Sequence, residues 1–422
     1  MKKNVREPLK NSAFSGLRTQ PGFSELPRTF LLWAGAAISI SEIYTGGLLA
    51  PLGFGRALTA IILGHLIGTG LLALGGYVSF TRRRSAMDSA AFSLGRNGGR
   101  LAALCNVVQL TGWTVVMVVQ AGSAVTALFP ALPFAPAALV LGFLVLLWAL
   151  IFGSPAQWIN GAVVILLALL SGVLFWESAG RAAGPAVFSE GLNFALALEL
   201  SIAMPVSWLP LVGDYSYRAK DRFCASAVPF AGYFLGSVFM YGFGLFIALK
   251  TGGDFFALIA ASRFRLIACA VVGFSTLTTA FLDLYSAAVS STRITGRIIN
   301  AKNLKAPILV IGVCAGVLSA VFPVERYSGF LTKFLTAIGM VFIPVYGVIF
   351  IDFFIKRPED KSPLGINLPG SVAVLGGMAV YFLCTRHEAG IPTLLSIAAV
   401  AVLYIPAAIA RAKRNTTPVV DD

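Results

Sequence analysis

The chain alternates long apolar runs with short polar joints, and most runs share one length. A bilayer core about 30 Å thick needs roughly 20 apolar residues of helix, within a range of about 17–25. Twelve segments come near that length. In the first half they are Thr29–Ala50, Ala57–Phe80, Leu101–Phe129, Ala137–Phe152, Ala156–Trp176 and Leu192–Val212. Ala225–Leu249, Leu266–Ser290, Ala306–Phe322, Phe330–Ile355, Gly370–Cys384 and Ile391–Ala410 follow. The runs are continuous, whereas barrel strands alternate apolar and polar residues, so helices are predicted. The fold class is therefore an all-α integral membrane protein of about twelve transmembrane helices. Residues 1–28 form one tail, 29–410 the membrane domain and 411–422 a second tail.

Two runs would make poor lipid-facing helices. The first contains Ser39-Ile40-Ser41-Glu42-Ile43-Tyr44-Thr45-Gly46-Gly47, which mixes hydroxyls, a carboxylate and a glycine pair. The sixth contains Met204-Pro205-Val206-Ser207-Trp208-Leu209-Pro210, where two prolines remove backbone donors and invite a break. Each interruption falls in the first helix of a five-helix block, 29–176 and 192–355, with two extra helices over 370–410. Matched interruptions point to a transporter built from inverted repeats. Unwinding frees carbonyls for a cation and amides for a substrate, and this is tolerable only around a protein-lined cavity.

Composition narrows the classes further. Of 422 residues 57% are hydrophobic and 12% charged, with a mean hydropathy of +0.84, which excludes an ordinary cytosolic enzyme and a disordered chain. The net charge of +14 would suit nucleic acid if it formed one face, but the basic residues are scattered between apolar runs. With the N-terminus inside, 24 of the 32 Lys and Arg fall on the tails and inner loops. That bias predicts a cell-membrane protein with both termini cytoplasmic. The first 28 residues lack the apolar core and cleavage site of a secretory signal. The five cysteines show no paired spacing, and His65 and His387 lie far apart, so neither a disulfide framework nor a metal cluster is expected. No convergent catalytic set is visible, and no cofactor beyond a coupling ion is expected.

An intramembrane carboxylate costs at least about 2.5–3.5 kcal/mol, so each one asks for a reason. Glu42, beside the first interruption, either faces a cavity, where it meets a heterocycle or carries a proton, or caps freed amides. Asp283, four residues after Thr279, gates, relays a proton or forms a structural pair. Glu199 reads as structural. Asp214 and Asp352 sit at helix ends near Arg218 and Lys356, where ion pairing is expected. Gln109 and Trp113 are four apart on one helical face. An amide with an indole suits a flat ring with a polar edge, and Trp208 supplies a possible second wall. Ser275, Thr278 and Thr279 point along one face, with the oxygen ligands a hard cation prefers.

Four pieces of the chain resemble the nucleobase:cation symporter-1 family of purine, pyrimidine and hydantoin permeases. They are Tyr44-Thr45-Gly46-Gly47, Gln109-Leu110-Thr111-Gly112-Trp113, Gly213-Asp214-Tyr215-Ser216 and Pro344-Val345-Tyr346-Gly347-Val348-Ile349-Phe350-Ile351-Asp352-Phe353. The compact length and Ser207-Trp208-Leu209-Pro210-Leu211 look most like the CytX-type branch, associated with the hydroxymethylpyrimidine precursor of thiamine. The resemblance implies a LeuT-like five-plus-five inverted repeat with two extra helices, working by alternating access. It implies a Na⁺ site from the carbonyls of Gly35, Ile38 and Ser275 and the hydroxyls of Thr278 and Thr279; the residue reading keeps proton coupling through Glu42 or Asp283 as the alternative. The ring site it implies uses Ser39, Gln109, Trp113, Ser207 and Ser275, beside Glu42 and Trp208 from the residue reading. The expected activity is import of a small pyrimidine-type heterocycle. A cytosine, purine or hydantoin permease, or an amino-acid symporter of the same fold, is the alternative.

Overall fold

The computed structural model describes residues 25–151, 157–179, 192–252, 255–296, 301–355 and 365–416. The two predicted tails fall mostly outside the described residues, as does Lys356. In chain order the helices are α1 (Glu25–Ala37), α2 (Ile40–Leu48), α3 (Phe54–Arg82), α4 (Ala86–Leu128), α5 (Phe134–Ile151) and α6 (Gln157–Ala179). Then come α7 (Phe194–Val206), α8 (Leu209–Ser216), α9 (Arg222–Ala225), α10 (Ala227–Thr251) and α11 (Phe255–Ala261). The chain continues through α12 (Arg265–Thr295), α13 (Ala301–Ala320), α14 (Tyr327–Phe354), α15 (Leu368–Arg386) and α16 (Pro392–Thr416).

All twelve predicted spans coincide with helix. Among the described residues ten stretches are long and apolar enough to cross a membrane by length and composition. The other two predicted spans are the first, broken into α1 and α2, and the fifth, α6. Large apolar side chains on these helices stand open, Val402 at 75% and Trp176 at 77%, as lipid-facing positions require.

The first span breaks at Ile38–Ser39, just ahead of the polar stretch that suggested the interruption. Ser39 is extended (φ −142°, ψ 160°), and its Oγ accepts from the Glu42 amide at 3.4 Å as the N-cap of α2. Ser39-Ile40-Ser41-Glu42 is the Ser-x-x-Glu pattern that starts helices, so the polar stretch restarts the helix rather than unwinding it. The sixth span is kinked rather than opened. Ser207 (φ −60°, ψ −23°) and Trp208 (φ −90°, ψ −8°) stay in the right-handed region. Pro210 has no N–H to donate, and Trp208 N turns to Pro205 O at 3.1 Å, a tightened turn. The third span begins fifteen residues earlier than its hydropathy suggests. It carries a kink at Gly95 (φ 84°, ψ 170°), where a Cβ would stand 2.5 Å from Gly365 O.

The chain divides into two compact units. The first comprises Met1–Phe54, Asn106–Glu190 and Leu235–Ser328; the second comprises Gly55–Cys105, Gly191–Phe234 and Gly329–Asp422. In the first, Ile40 and Ile43 of α2 pack with Leu167, Met240, Phe243 and Val272. Here α2 meets α10 backbone to backbone, since a Cβ on Gly46 would lie 2.2 Å from Tyr241 O and one on Gly244 1.8 Å from Ile43 O. In the second, Leu198, Ile202 and Val206 of α7 pack with Ile343 of α14 and Ile67 and Leu71 of α3.

Candidate functional site

The break in the first span opens a small cavity inside the first unit. It is lined by Ser39, Ile40 and Ser41 at the start of α2, Met117 and Gln120 on α4, and Ser275, Thr276 and Thr279 on α12. Each helix supplies these residues for a periodic reason. On α4, positions 109, 113, 117 and 120 follow one face, and on α12 the hydroxyls at 275, 276 and 279 share one side. The lining is hydroxyls, one amide, a thioether and an isoleucine, with no charged side chain.

The polar groups around the cavity are partly bound to one another. Ser41 Oγ donates to Gln120 Oε1 at 2.9 Å, and Thr45 Oγ1 donates to Ser41 O at 2.7 Å. The Tyr44 and Tyr327 rings meet edge to face, with centroids 4.9 Å apart. Thr278 Oγ1 donates back to Phe274 O at 3.0 Å and to Ser275 O at 3.1 Å. A hydroxyl that donates to its own helix keeps its oxygen lone pairs for a cation.

The predicted site residues divide accordingly. Ser39, Ser275 and Thr279 line the cavity. Thr278 is next to Thr279 on α12, Gly35 lies in α1, and Ile38 sits at the break and packs on the core of the unit. Glu42 is 1% exposed, but its Oε2 accepts from Ser237 Oγ of α10 at 2.5 Å, and it is not among the cavity residues. Its observed partner is a structural donor, one of the two directions open to this carboxylate. Once Ser39 caps the helix and Ser41 turns to Gln120, the next residue points about 100° away. Gln109 also lies off the cavity, donating to Asn106 Oδ1 at 3.4 Å, while Asn106 Nδ2 donates to Ser290 Oγ at 2.9 Å. Trp113 is buried on α4 and does not line it. Asp283 is 2% exposed, and its Oδ2 has no hydrogen-bond partner among the described residues.

Ser207 and Trp208 belong to the second unit. Ser207 Oγ donates to Met204 O at 2.6 Å, and the Trp208 ring lies 6.4 Å from that of Tyr233. Glu199 is structural there, as expected: it accepts from Tyr381 Oη at 2.7 Å, Thr393 Oγ1 at 2.5 Å and Thr393 N at 3.0 Å. Asp214 and Asp352 have partners other than the basic residues predicted for them. Asp214 Oδ1 accepts from Ala86 N at 3.0 Å, and Asp352 Oδ1 from Tyr404 Oη at 2.7 Å. Asp214 thus joins α8 to the start of α4, and Asp352 joins the end of α14 to α16, through neutral donors.

Ile40, Ser41, Met117, Gln120 and Thr276 are the cavity residues that pattern reading missed. The signal for Gln120 was present, because it lies three helical turns after Gln109 on the same face.

Comparison with known proteins bears on this geometry. Residues 24–362 match the family described as permease for cytosine/purines, uracil, thiamine, allantoin. No curated protein matches the sequence. Among solved structures, the transporter Mhp1 in an inward-facing conformation aligns with a TM-score of 0.72 at 18% identity, over 92% of this chain and 90% of that one. A closed form of Mhp1, a nucleobase-cation-symport-1 family transporter with bromovinylhydantoin bound, aligns at 0.68 and 18% identity over 94% of each chain. A substrate-bound, outward-open Na⁺-coupled sialic acid symporter aligns at 0.69 and 13% identity, over 96% of this chain and 92% of that one. At these identities the likeness is one of fold, and the shared fold is the predicted LeuT-like one.

Proposed function

The chain belongs to the family of permeases for cytosine/purines, uracil, thiamine and allantoin, and from that premise we propose that it imports a small neutral pyrimidine-type ring by cation symport and alternating access. As a multi-pass membrane permease it is a transporter and not an enzyme. Hydroxymethylpyrimidine is the substrate we put first, on the compact length and the Ser-Trp-Leu-Pro-Leu stretch at 207–211. Both termini are proposed to be cytoplasmic, on the bias of basic residues.

The observation that carries the reading is the uncharged lining at the first-span break, a space that in this conformation admits a water-sized group and must widen to take a ring. Hydroxyls and one amide can match donors and acceptors on a neutral heterocycle. An amino-acid zwitterion would leave two charges without partners there, at a high desolvation cost. Ser39 and Ser275, which line the cavity, are proposed to meet the ring edge, and Trp113, one turn before Met117 on the same face of α4, to form the stacking platform. Gln109 and Glu42 act through their own hydrogen-bond partners rather than by touching the ring.

The coupling ion is proposed to be Na⁺, held by the carbonyls of Gly35, Ile38 and Ser275 and the hydroxyls of Thr278 and Thr279. One such cation supplies about 2.3 kcal/mol per 100 mV and about 1.4 kcal/mol per tenfold gradient. Together these permit accumulation on the order of several hundredfold. Uptake into proteoliposomes of hydroxymethylpyrimidine, cytosine, thiamine and hydantoins, with and without a Na⁺ gradient, tests the reading. Na⁺-driven uptake of hydroxymethylpyrimidine is expected. Uptake of amino acids in place of every pyrimidine would overturn it, and equal rates without Na⁺ would transfer the coupling to protons.

A further inference from the structure

We propose that Gln120 is the residue that reads the polar edge of the transported ring, an inference that rests on the pyrimidine-type reading above. The argument begins with how the side chain is held. Gln120 is 2% exposed and lines the cavity, and its Oε1 is fixed by the Ser41 hydroxyl at 2.9 Å. That bond spans 79 residues and joins α4 to the restarted half of the first span. One end of the amide is therefore anchored, and the other end has a set direction.

The other end is incomplete. Gln120 Nε2 is buried and meets no acceptor at full hydrogen-bond geometry among the described residues; the Tyr327 hydroxyl lies beside it as a loose partner. Buried amide donors are almost always satisfied in native structures. An amide nitrogen carries two N–H groups, so with the Tyr327 hydroxyl against one of them the other is left for an acceptor in the cavity, which the ligand can supply. On an aromatic heterocycle that acceptor is a ring nitrogen or an exocyclic carbonyl in the ring plane. The Ser39, Thr276 and Thr279 hydroxyls, which also line the cavity, can donate or accept and complete the edge around it. Gln120 thus sets a preference for rings with an in-plane acceptor, and Ser41 is its positioning residue.

The test uses the full chain in proteoliposomes and a matched ligand pair: a transported pyrimidine and its deaza analogue, in which C–H replaces one ring nitrogen. Wild type should prefer the pyrimidine, by KM, roughly tenfold or more, because a site built to hydrogen-bond one ligand rejects the analogue lacking that group. Gln120→Leu should raise KM for the pyrimidine and bring the ratio close to one. Gln120→Glu keeps the shape and the oxygen that meets Ser41 but removes the amide donor, and it too should lose the preference. A merely structural role would weaken both ligands alike and leave their ratio intact, which overturns the proposal. Wild-type protein that transports no ring compound at all overturns the pyrimidine-type reading itself, a separate failure.

Discussion

Glu42 Oε2 accepts a hydrogen bond from Ser237 Oγ at 2.5 Å, next to the crossing at which Gly46 and Gly244 bring α2 and α10 into backbone contact. An intramembrane carboxyl that pattern reading left between a cavity and a structural partner is thus bound to a neighbouring helix. The bond and the glycine crossing together fix the restarted half of the first span, and so fix Ser39 and Ser41 at the cavity. Ser237→Ala removes this donor from a buried carboxyl group. The expected loss is about 1–3 kcal/mol of stability, read as a lowered melting temperature in detergent, while Ser237→Thr retains the hydroxyl and most of the stability. An unchanged melting temperature in the alanine variant would show that the bond does not hold α2.

The glycine crossing makes a sharper prediction. An added Cβ at Gly244 would stand 1.8 Å from Ile43 O, and backbone cannot give way as a flexible side chain can. Gly244→Ala should cost at least the roughly 1–3 kcal/mol of ordinary overpacking. Gly242, on the same helix, has open space where its Cβ would lie. Gly242→Ala should be neutral or stabilising by up to about 1 kcal/mol. The paired melting curves distinguish close approach from a general intolerance of α10 to substitution.

In the second unit Glu199 is the point where α7 is bound to both extra helices, through Tyr381 on α15 and Thr393 on α16. Glu199→Ala leaves two buried hydroxyls and an amide without their acceptor, at an expected cost of about 1–3 kcal/mol for each group left unsatisfied. Tyr381→Phe should cost less, about 1.5–3 kcal/mol if the carboxyl is ionised. Because the donors share one acceptor, the Glu199→Ala and Tyr381→Phe costs should fall short of adding in the double variant. Additive costs would show that Tyr381 acts independently of Glu199.

The proposed cation site is tested by separating substrate from ion. Thr279→Ala and Thr278→Ala each remove one hydroxyl oxygen without adding bulk. Both should reduce the stimulation of uptake by Na⁺, with a raised Na⁺ requirement at fixed substrate. In Thr278→Ala some loss of helix geometry accompanies this, since its hydroxyl also bonds to Phe274 O and Ser275 O. Wild-type Na⁺ dependence in both variants would rule the two threonines out as ligands.

Several features were readable before any coordinates. The twelve spans follow from bilayer thickness and run length, and the need for a break in the first span follows from its hydroxyls and carboxylate. Its position was also encoded, in the Ser-x-x-Glu signature beginning at Ser39. The family pieces were legible as patterns, but their purpose was not. Gly46 serves a helix crossing, and a Cβ on Gly213 would lie 2.4 Å from Ser79 Oγ. Asp214 caps Ala86, and Asp352 binds Tyr404. Such residues look like candidate chemistry in a sequence because their partners are dozens to hundreds of residues away.

The sequence by itself determined that this chain lies in a bilayer, that it is helical throughout its spans, and where its polar residues concentrate. Those properties depend on hydropathy and on periods of a few residues, which are local. Only the tertiary structure decided which polar residues share a cavity. On α4 the face bearing Gln109 and Trp113 continues to Gln120, and packing against Ser41, not spacing, selects the amide that reaches the site. On α2 two consecutive residues part: Ser41 turns to the cavity and Glu42 to Ser237. A helix turns about 100° per residue, so adjacent side chains meet different neighbours. The neighbours themselves come from distant parts of the chain.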